Sequence, residues 1–181
     1  RPNHVIISKA SKLICSGEII AFPTETVYGL GANALDPSAV SKIFEIKGRP
    51  FDNPLITHIA DMKTLRTLVS QIPPRANRII KKFWPGPVTL VLKKSKIVPK
   101  ITTGGLSTVA VRMPRNNVAL ALIRKSGLPI AAPSANISGR PSPTTATHVK
   151  DDLDGKIKLI LDGGSTKIGI ESTVIDMTQS T

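Results

Sequence analysis

Short strand-like runs alternate with helix-like segments along the whole chain, and this alternation limits the possible folds more than any other feature. Strands are predicted over residues 18–22, 54–60, 88–93, 108–113, 129–132, 157–162 and 169–177. Helices are predicted over residues 9–15, 38–46, 61–69, 75–84 and 118–125, with another after Pro143. Strands interleaved with helices over the length of one domain predict an α/β fold in which helices cover a sheet, with residues 1–181 forming a single domain. The spacing leaves parallel and mixed pairing open.

The helix over residues 38–46 carries the clearest local signals. Asp36 suits the N-cap, Pro37 suits the first helical position, and Gly48 ends the helix. One face of this helix combines the residues Val40, Ile43, Phe44 and Lys47. The pattern therefore puts Lys47 at the C-terminal end of a helix.

Basic residues outnumber acidic ones, with 25 Lys and Arg against 12 Asp and Glu and a formal net charge of +13. This excess predicts attraction to polyanions such as nucleic acids or nucleotides. Residues 62–150 contain no carboxylate side chain at all, although many of the cations lie there. That stretch cannot supply an acidic base or a carboxylate metal ligand, so it suits the binding of phosphates and carboxylates better than metal-dependent hydrolysis.

Several classes of protein are excluded by what the sequence lacks. Cys15 is the single cysteine and the three histidines are scattered, so neither an internal disulfide nor a Cys/His metal site is expected. No apolar run approaches the roughly 18 residues of a membrane span, and the start has no signal-peptide core, so we expect a soluble, cytoplasmic protein without membrane contact. The sequence contains no Gly-x4-Gly-Lys-[Ser/Thr] phosphate loop, which excludes a P-loop ATPase.

A stacking platform for single-stranded nucleic acid is also disfavoured. The chain has only four Phe, one Tyr and one Trp, and bases need aromatic side chains on which to stack. Binding of folded RNA through its backbone stays open, because it requires cations rather than rings.

Four segments next to predicted strands are candidates for a ligand site. They are residues 23–31 (PTETVYGLG), 47–55 (KGRPFDNPL), 131–143 (AAPSANISGRPSP) and 164–173 (GSTKIGIEST). The first could approach a ligand through its hydroxyls and glycines, or be a helix-capping turn. In the second, Lys47 and Arg49 could clamp a phosphate, or sit at a helix end for its dipole. His58 could be a ligand residue or a core histidine.

Together these motifs resemble the YrdC/Sua5 family of L-threonylcarbamoyladenylate synthases. The motifs that match are Pro-Thr-Glu-Thr-Val-Tyr-Gly-Leu-Gly, Lys-Gly-Arg-Pro with Asn-Pro-Leu, Pro-Ser-Ala-Asn with Ser-Gly, and Glu-Ser-Thr-Val, in this order over nearly the whole chain. The resemblance implies a twisted open mixed sheet with flanking helices, YrdC/RibB-like, and a basic concave surface. It also implies that L-threonine, bicarbonate and ATP yield threonylcarbamoyl-AMP and pyrophosphate.

The product would be the activated intermediate for N6-threonylcarbamoyladenosine at position 37 of tRNA. The resemblance accordingly implies tRNA and the complex that transfers the threonylcarbamoyl group as partners, with Mg²⁺ carried by ATP rather than by a protein metal site. No protein nucleophile is required, because the carbamate of threonine itself attacks the α-phosphorus. The protein has to hold two anionic substrates together and neutralise their charge.

The resemblance assigns roles to particular residues. Lys47 and Arg49 correspond to the catalytic clamps for phosphate and carbamate. The ATP-binding positions are Arg49, Asn53, Thr108, Ser134, Asn136 and Ser142. The L-threonine-binding positions are Thr26, His58, Arg112, Ala132 and Ser172, where Arg112 would pair with the α-carboxylate and Ala132 could offer only its backbone. Family members continue past Asp176 into a strand with another nucleotide-contacting arginine, which leaves full ATP affinity of residues 1–181 open.

Two other functions compete with this hypothesis. A non-catalytic YrdC-like module could hold tRNA or double-stranded RNA on its basic face, which the charge favours but the threonine positions do not explain. A carbamoyltransferase of the hydrogenase-maturation type would use carbamoyl phosphate on a related domain.

Overall fold

One mixed sheet organises the part of the chain that the structure describes. The computed structural model describes residues 3–179, and within them eight strands pair in the order β7-β1-β2-β6-β3-β5-β4-β8. The strands are β1 (Ile20–Pro23), β2 (Tyr28–Asn33), β3 (Ile56–His58), β4 (Val88–Lys93), β5 (Thr108–Arg112), β6 (Ile130–Ala131), β7 (Leu159–Ile160) and β8 (Thr173–Asp176). The pairs β1–β7, β3–β5 and β4–β8 are parallel and the remaining neighbours are antiparallel. The α/β class and the mixed sheet are thus confirmed.

Helices pack on both faces of this sheet. They are α1 (His4–Cys15), α2 (Pro37–Lys47), α3 (Met62–Leu68), α4 (Pro74–Phe83), α5 (Asn117–Ser126) and α6 (Ala146–Leu153), with a short 3₁₀ turn at Ile101–Thr103. The predicted ends of α2 are confirmed, since the Asp36 side chain accepts from two backbone N–H groups and Gly48 adopts φ 61°. None of the helices among residues 3–179 is long and apolar enough to cross a membrane.

Three apolar clusters hold the helices against the sheet. Helices α1 and α5 cover one face of the sheet over Phe22 and Ile130, while α2 and α6 cover the opposite face over Leu30. Helices α3 and α4 pack over β4 and β5, where Val109 and Val111 are buried. Since strand residues alternate between faces, Thr108, Ala110 and Arg112 all lie on the face of β5 opposite these valines.

The segment over residues 23–31 is only partly the loop or turn that the sequence predicted. Only its first part turns, because Tyr28–Asn33 forms β2 and pairs with both β1 and β6. A Cβ atom on Gly31 would lie 2.6 Å from Phe22 Cε1 and 2.8 Å from Ile130 Cγ2. This glycine therefore serves the packing of an inner strand. Glycines usually weaken strands, which is why the sequence alone did not predict one here.

Candidate functional site

A small cavity opens at the carboxyl ends of β3 and β5, where the parallel register sets His58 beside Arg112. Its volume is about 110 Å³. It is lined by Thr24, Thr26, Val27, Tyr28, Gly29, Arg49, Pro54, Leu55, Ile56, His58, Arg112, Ala132, Pro133, Ser134, Glu171 and Ser172. All five predicted threonine-binding residues are in this lining, together with Arg49 and Ser134.

The turn between β1 and β2 contributes two hydroxyl residues, Thr24 and Thr26, to the cavity lining. Thr24 Oγ1 accepts hydrogen bonds from the backbone N–H of Thr26 at 3.1 Å and of Val27 at 3.2 Å, and it donates to Val27 O at 2.6 Å. These bonds hold the turn in a fixed shape. As a result, Thr26 Oγ1 lies 2.8 Å from Thr24 Oγ1 and within reach of the arginine below it.

Arg112 is the buried cation of the site, with 3% of its surface exposed. Its Nη1 donates to Thr26 Oγ1 at 2.9 Å and its Nε donates to Gly86 O at 3.2 Å. Its Nη2 lies 2.8 Å from Glu25 Oε1, yet neither group makes a hydrogen bond of good geometry there. Glu25 thus pairs with Arg112 in a buried ion pair that neutralises the guanidinium charge.

His58 combines the two alternatives that the sequence left open, because it lines the cavity and also packs in the core. Its ring meets the Phe22 ring edge to face at 5.9 Å, and its Nδ1 is buried without a hydrogen-bond partner. Burial, followed by the charge of Arg112, lowers the pKa of His58 to about 3. The imidazole is therefore neutral at physiological pH and can offer a ligand a hydrogen bond but no charge.

The depressed pKa of His58 predicts a pH-dependent stability. Between about pH 6.5, where the unfolded chain takes up this proton, and the folded pKa, acidification favours the unfolded state by about 1.4 kcal/mol per pH unit. Urea unfolding of the wild type and of His58→Gln at pH 7, 6 and 5 measures the effect. The wild type should lose stability more steeply than the variant as the pH falls, and parallel slopes would contradict a neutral buried imidazole.

Arg49 lies at the mouth of the cavity, half-buried, just beyond the end of α2. Its Nη2 donates to Pro54 O at 3.2 Å and its Nε to Asn53 O at 3.4 Å, which anchors the side chain against the start of β3. Burial lowers its pKa, although the nearby carboxylate of Glu171 opposes this shift. Arg49 remains a cation held beside the opening.

Lys47, the other predicted clamp, is buried outside the lining that contains Arg49, and its role in binding phosphate stays a prediction. Only 2% of its surface is exposed, and its Nζ donates to Ser134 O at 2.5 Å and also to Asn136 O. Burial, followed by the charge of Arg49, lowers the pKa of Lys47 to about 8. Lys47 is not part of the cavity lining and instead ties the loop that carries Ser134 to the end of α2.

Of the six predicted ATP positions, Arg49 and Ser134 line the cavity, and the remaining four lie outside its lining. Asn53 is exposed, and the amide of Asn136 donates to Ile137 O and Arg140 O within its own loop. Thr108 begins β5, so its Cα atom is roughly 13 Å from that of Arg112 at the other end of the strand. Ser142 donates to Glu171 Oε1 at 3.1 Å.

Two of the residues predicted to bind L-threonine, Ser172 and Ala132, already take part in close polar contacts within the protein. The Ser172 hydroxyl lies 2.7 Å from the hydroxyl of the buried Thr89 on β4. The backbone N–H of Ala132 donates to Ile56 O at 2.9 Å, so a ligand could use that N–H only by breaking a sheet hydrogen bond.

Sequence reasoning missed two carboxylates of the site. Glu25 stands against Arg112, and Glu171 is in the cavity lining. Both lie within motifs already identified in the sequence, Thr-Glu-Thr and Glu-Ser-Thr. Only the hydroxyl residues of these motifs were predicted to bind a ligand. Acidic residues are scarce in this chain, so a carboxylate next to hydroxyl residues could have indicated a functional position.

Known proteins are similar to this chain over almost all of its length. The sequence model of the Sua5/YciO/YrdC family, described as telomere recombination, matches residues 12–181. Threonylcarbamoyl-AMP synthase from Pyrococcus abyssi is 63% identical over 170 residues, which cover 94% of this chain and 50% of the relative. Threonylcarbamoyl-AMP synthase from Bacillus subtilis is 59% identical over 175 residues, which cover 96% of this chain and 50% of the relative.

A solved structure is also similar to this chain over almost all of the chain's length. The crystal structure of Pyrococcus abyssi Sua5 complexed with L-threonine superposes with a TM-score of 0.98 at 61% identity, covering 99% of this chain and 53% of that protein. The chain therefore spans about half the length of these relatives.

Proposed function

Because the chain belongs to the Sua5/YciO/YrdC family, we propose that it makes L-threonylcarbamoyl-AMP and pyrophosphate from L-threonine, bicarbonate and ATP. The single observation that carries this proposal is the shared cavity of Thr26, His58 and Arg112 with a cation, Arg49, at its mouth. A small ligand with a carboxylate fits the interior, and a phosphate fits the opening.

The interior of the cavity supports an amino acid as the first substrate. About 110 Å³ is well below the roughly 300–1,000 Å³ typical of drug-sized ligands, so the cavity suits a molecule of a few heavy atoms. Arg112 would donate hydrogen bonds to the α-carboxylate, with Glu25 as its partner when the cavity is empty. Thr26, Ser172 and His58 would distinguish threonine through its hydroxyl and methyl groups.

The mouth supports ATP as the second substrate. Arg49 would contact the phosphates, and Ser134 would contact the nucleotide on the loop that Lys47 holds. Asn53, Thr108, Asn136 and Ser142 would contribute to the same nucleotide site outside the cavity. Mg²⁺ would be bound by the phosphates of ATP and by water, because Glu171 is the single carboxylate in the described lining.

The arrangement would promote transfer of an adenylyl group without a covalent enzyme intermediate. A carbamate oxygen of N-carboxythreonine attacks the α-phosphorus, the new P–O bond forms, and pyrophosphate leaves with the electron pair of the broken bond. Arg49 would neutralise charge on the phosphates while Arg112 fixes the other substrate. The product would then pass to the cytoplasmic enzymes that modify tRNA.

Calorimetric titration with L-threonine, L-serine and ATP tests this function directly. We expect L-threonine to bind and L-serine to bind at least about tenfold more weakly, because serine lacks the methyl group that fills the cavity. Pyrophosphate release should require threonine and bicarbonate together. Release that depends on carbamoyl phosphate instead would assign the chain to a carbamoyltransferase.

An RNA-binding module remains the competing function because of the net charge of +13. The same calorimeter separates the two functions through salt. Binding of an RNA duplex should weaken steeply between about 50 and 200 mM salt, whereas threonine binding should change little. Salt-sensitive RNA binding without any threonine binding would favour the module.

A further inference from the structure

We propose that Glu171 accepts the proton that the substrate ammonium must lose before its nitrogen can attack. This inference rests on the proposed function and assigns a catalytic role that the reaction requires. Threonine enters as an ammonium ion, which has no lone pair. A base must therefore create the amine inside the site.

The described lining offers few groups that could take up this proton. His58 is buried beside the Arg112 cation, an environment that opposes a second positive charge. Glu25 is turned toward Arg112 and is not in the lining. Within residues 3–179, Glu171 is the one carboxylate that lines the cavity.

Glu171 lies on the solvent side of the cavity, where we expect the amine of a bound threonine. Arg112 is buried at the carboxyl end of β5, whereas Glu171 is exposed at the opening. A threonine whose carboxylate reaches Arg112 would therefore direct its other polar groups toward the opening. There the amine would meet Glu171 and, next to it, Arg49 and the phosphates.

The contacts of Glu171 leave it free to act as a base. Ser142 Oγ donates to Oε1 at 3.1 Å and so fixes the carboxylate, while Oε2 accepts no hydrogen bond from residues 3–179. Lys47 and Arg49 are close enough for their charges to interact with that of Glu171. Since Glu171 is exposed, the proton can pass on to water after each transfer.

The step balances in atoms and charge. The carboxylate takes the proton from R–NH₃⁺ and leaves R–NH₂, whose lone pair attacks the carbon of bicarbonate. A C–N bond forms, one proton of the nitrogen passes to the bicarbonate hydroxyl, and the C–O bond to that oxygen breaks, so water departs and the carbamate R–NH–COO⁻ remains. Glu171 then returns its proton to solvent and is ready for another cycle.

A pH–rate comparison of the wild type with Glu171→Gln tests the role. Pyrophosphate release is measured from about pH 6.5 to about pH 9.5 with saturating threonine, bicarbonate and Mg-ATP. At pH 7 we expect a loss of about tenfold, below the 10²–10⁴ typical of general bases because water at the open mouth can also take the proton. The deficit should shrink with rising pH as solution deprotonates the amine, and Glu171→Asp should restore much of the rate.

Glu45→Gln is the matched control, since Glu45 Oε1 also accepts from a serine hydroxyl, Ser41, at 2.9 Å, but on the exposed side of α2. Its rate should equal that of the wild type at every pH. A Glu171→Gln deficit that is constant across pH, or one that more Mg²⁺ removes, would overturn the proton-transfer role. Absence of threonine-dependent release by the wild type would overturn the proposed function as well.

Discussion

Arg49→Ala should lower threonine- and bicarbonate-dependent pyrophosphate release by about 10³-fold while the chain stays folded. An arginine that stabilises charge in phosphoryl transfer is typically worth about 10³–10⁵ in rate. The fold should tolerate the change, because Arg49 is half-buried and donates only to loop carbonyls, Pro54 O and Asn53 O. We therefore expect the rate of pyrophosphate release to fall without a matching loss of stability.

Steady-state pyrophosphate assays and urea unfolding should be run on the same preparations. Arg115→Ala is the matched control, since this exposed arginine also donates to a loop carbonyl, Pro85 O at 2.9 Å, without lining the cavity. It should keep nearly the full rate. Unchanged release by Arg49→Ala would remove Arg49 from the mechanism, and a collapse of stability would assign it a structural role.

Lys47→Met should affect both stability and rate. The substitution keeps an unbranched side chain but removes the Nζ that donates to the carbonyls of Ser134 and Asn136. Buried acceptors left without a donor cost about 1–3 kcal/mol each, and relief of the buried charge offsets part of this, so we expect a net loss of about 2–4 kcal/mol. Release should fall by about 10²-fold, because the loop that carries Ser134 would no longer be held in place.

Lys42→Met provides the comparison for this experiment. Lys42 lies on the same helix, α2, and its Nζ donates to a single carbonyl, Gly17 O, at 2.9 Å. We expect a loss of stability below about 1 kcal/mol and an unchanged rate. If Lys47→Met lowers the rate at full stability, Lys47 contacts the substrate and the clamp role that the motif implied would be correct.

Lys47 and Arg49 show how far a sequence motif can be interpreted without a structure. Lys47 and Arg49 stand two positions apart, and nothing in their spacing predicts that their side chains take different positions. The helix that ends between them decides the difference. Lys47 is still helical and turns into the buried loop behind the site, whereas Arg49 follows the left-handed Gly48 and emerges at the mouth.

The alternation of strands and helices and the caps of α2 were predictable from the sequence, because each depends on local spacing, whereas the candidate site residues followed only from motifs that resemble a known family. The place of β2 inside the sheet, the pairing of Glu25 with Arg112 and the position of Glu171 in the cavity were decided only by tertiary structure. Each of these depends on residues far apart in the chain, and periodicity carries no information about which distant groups will meet. Burial then decides which charged side chains can bind a ligand. A charge buried in the protein needs a partner within the protein, whereas an exposed charge remains available to a ligand.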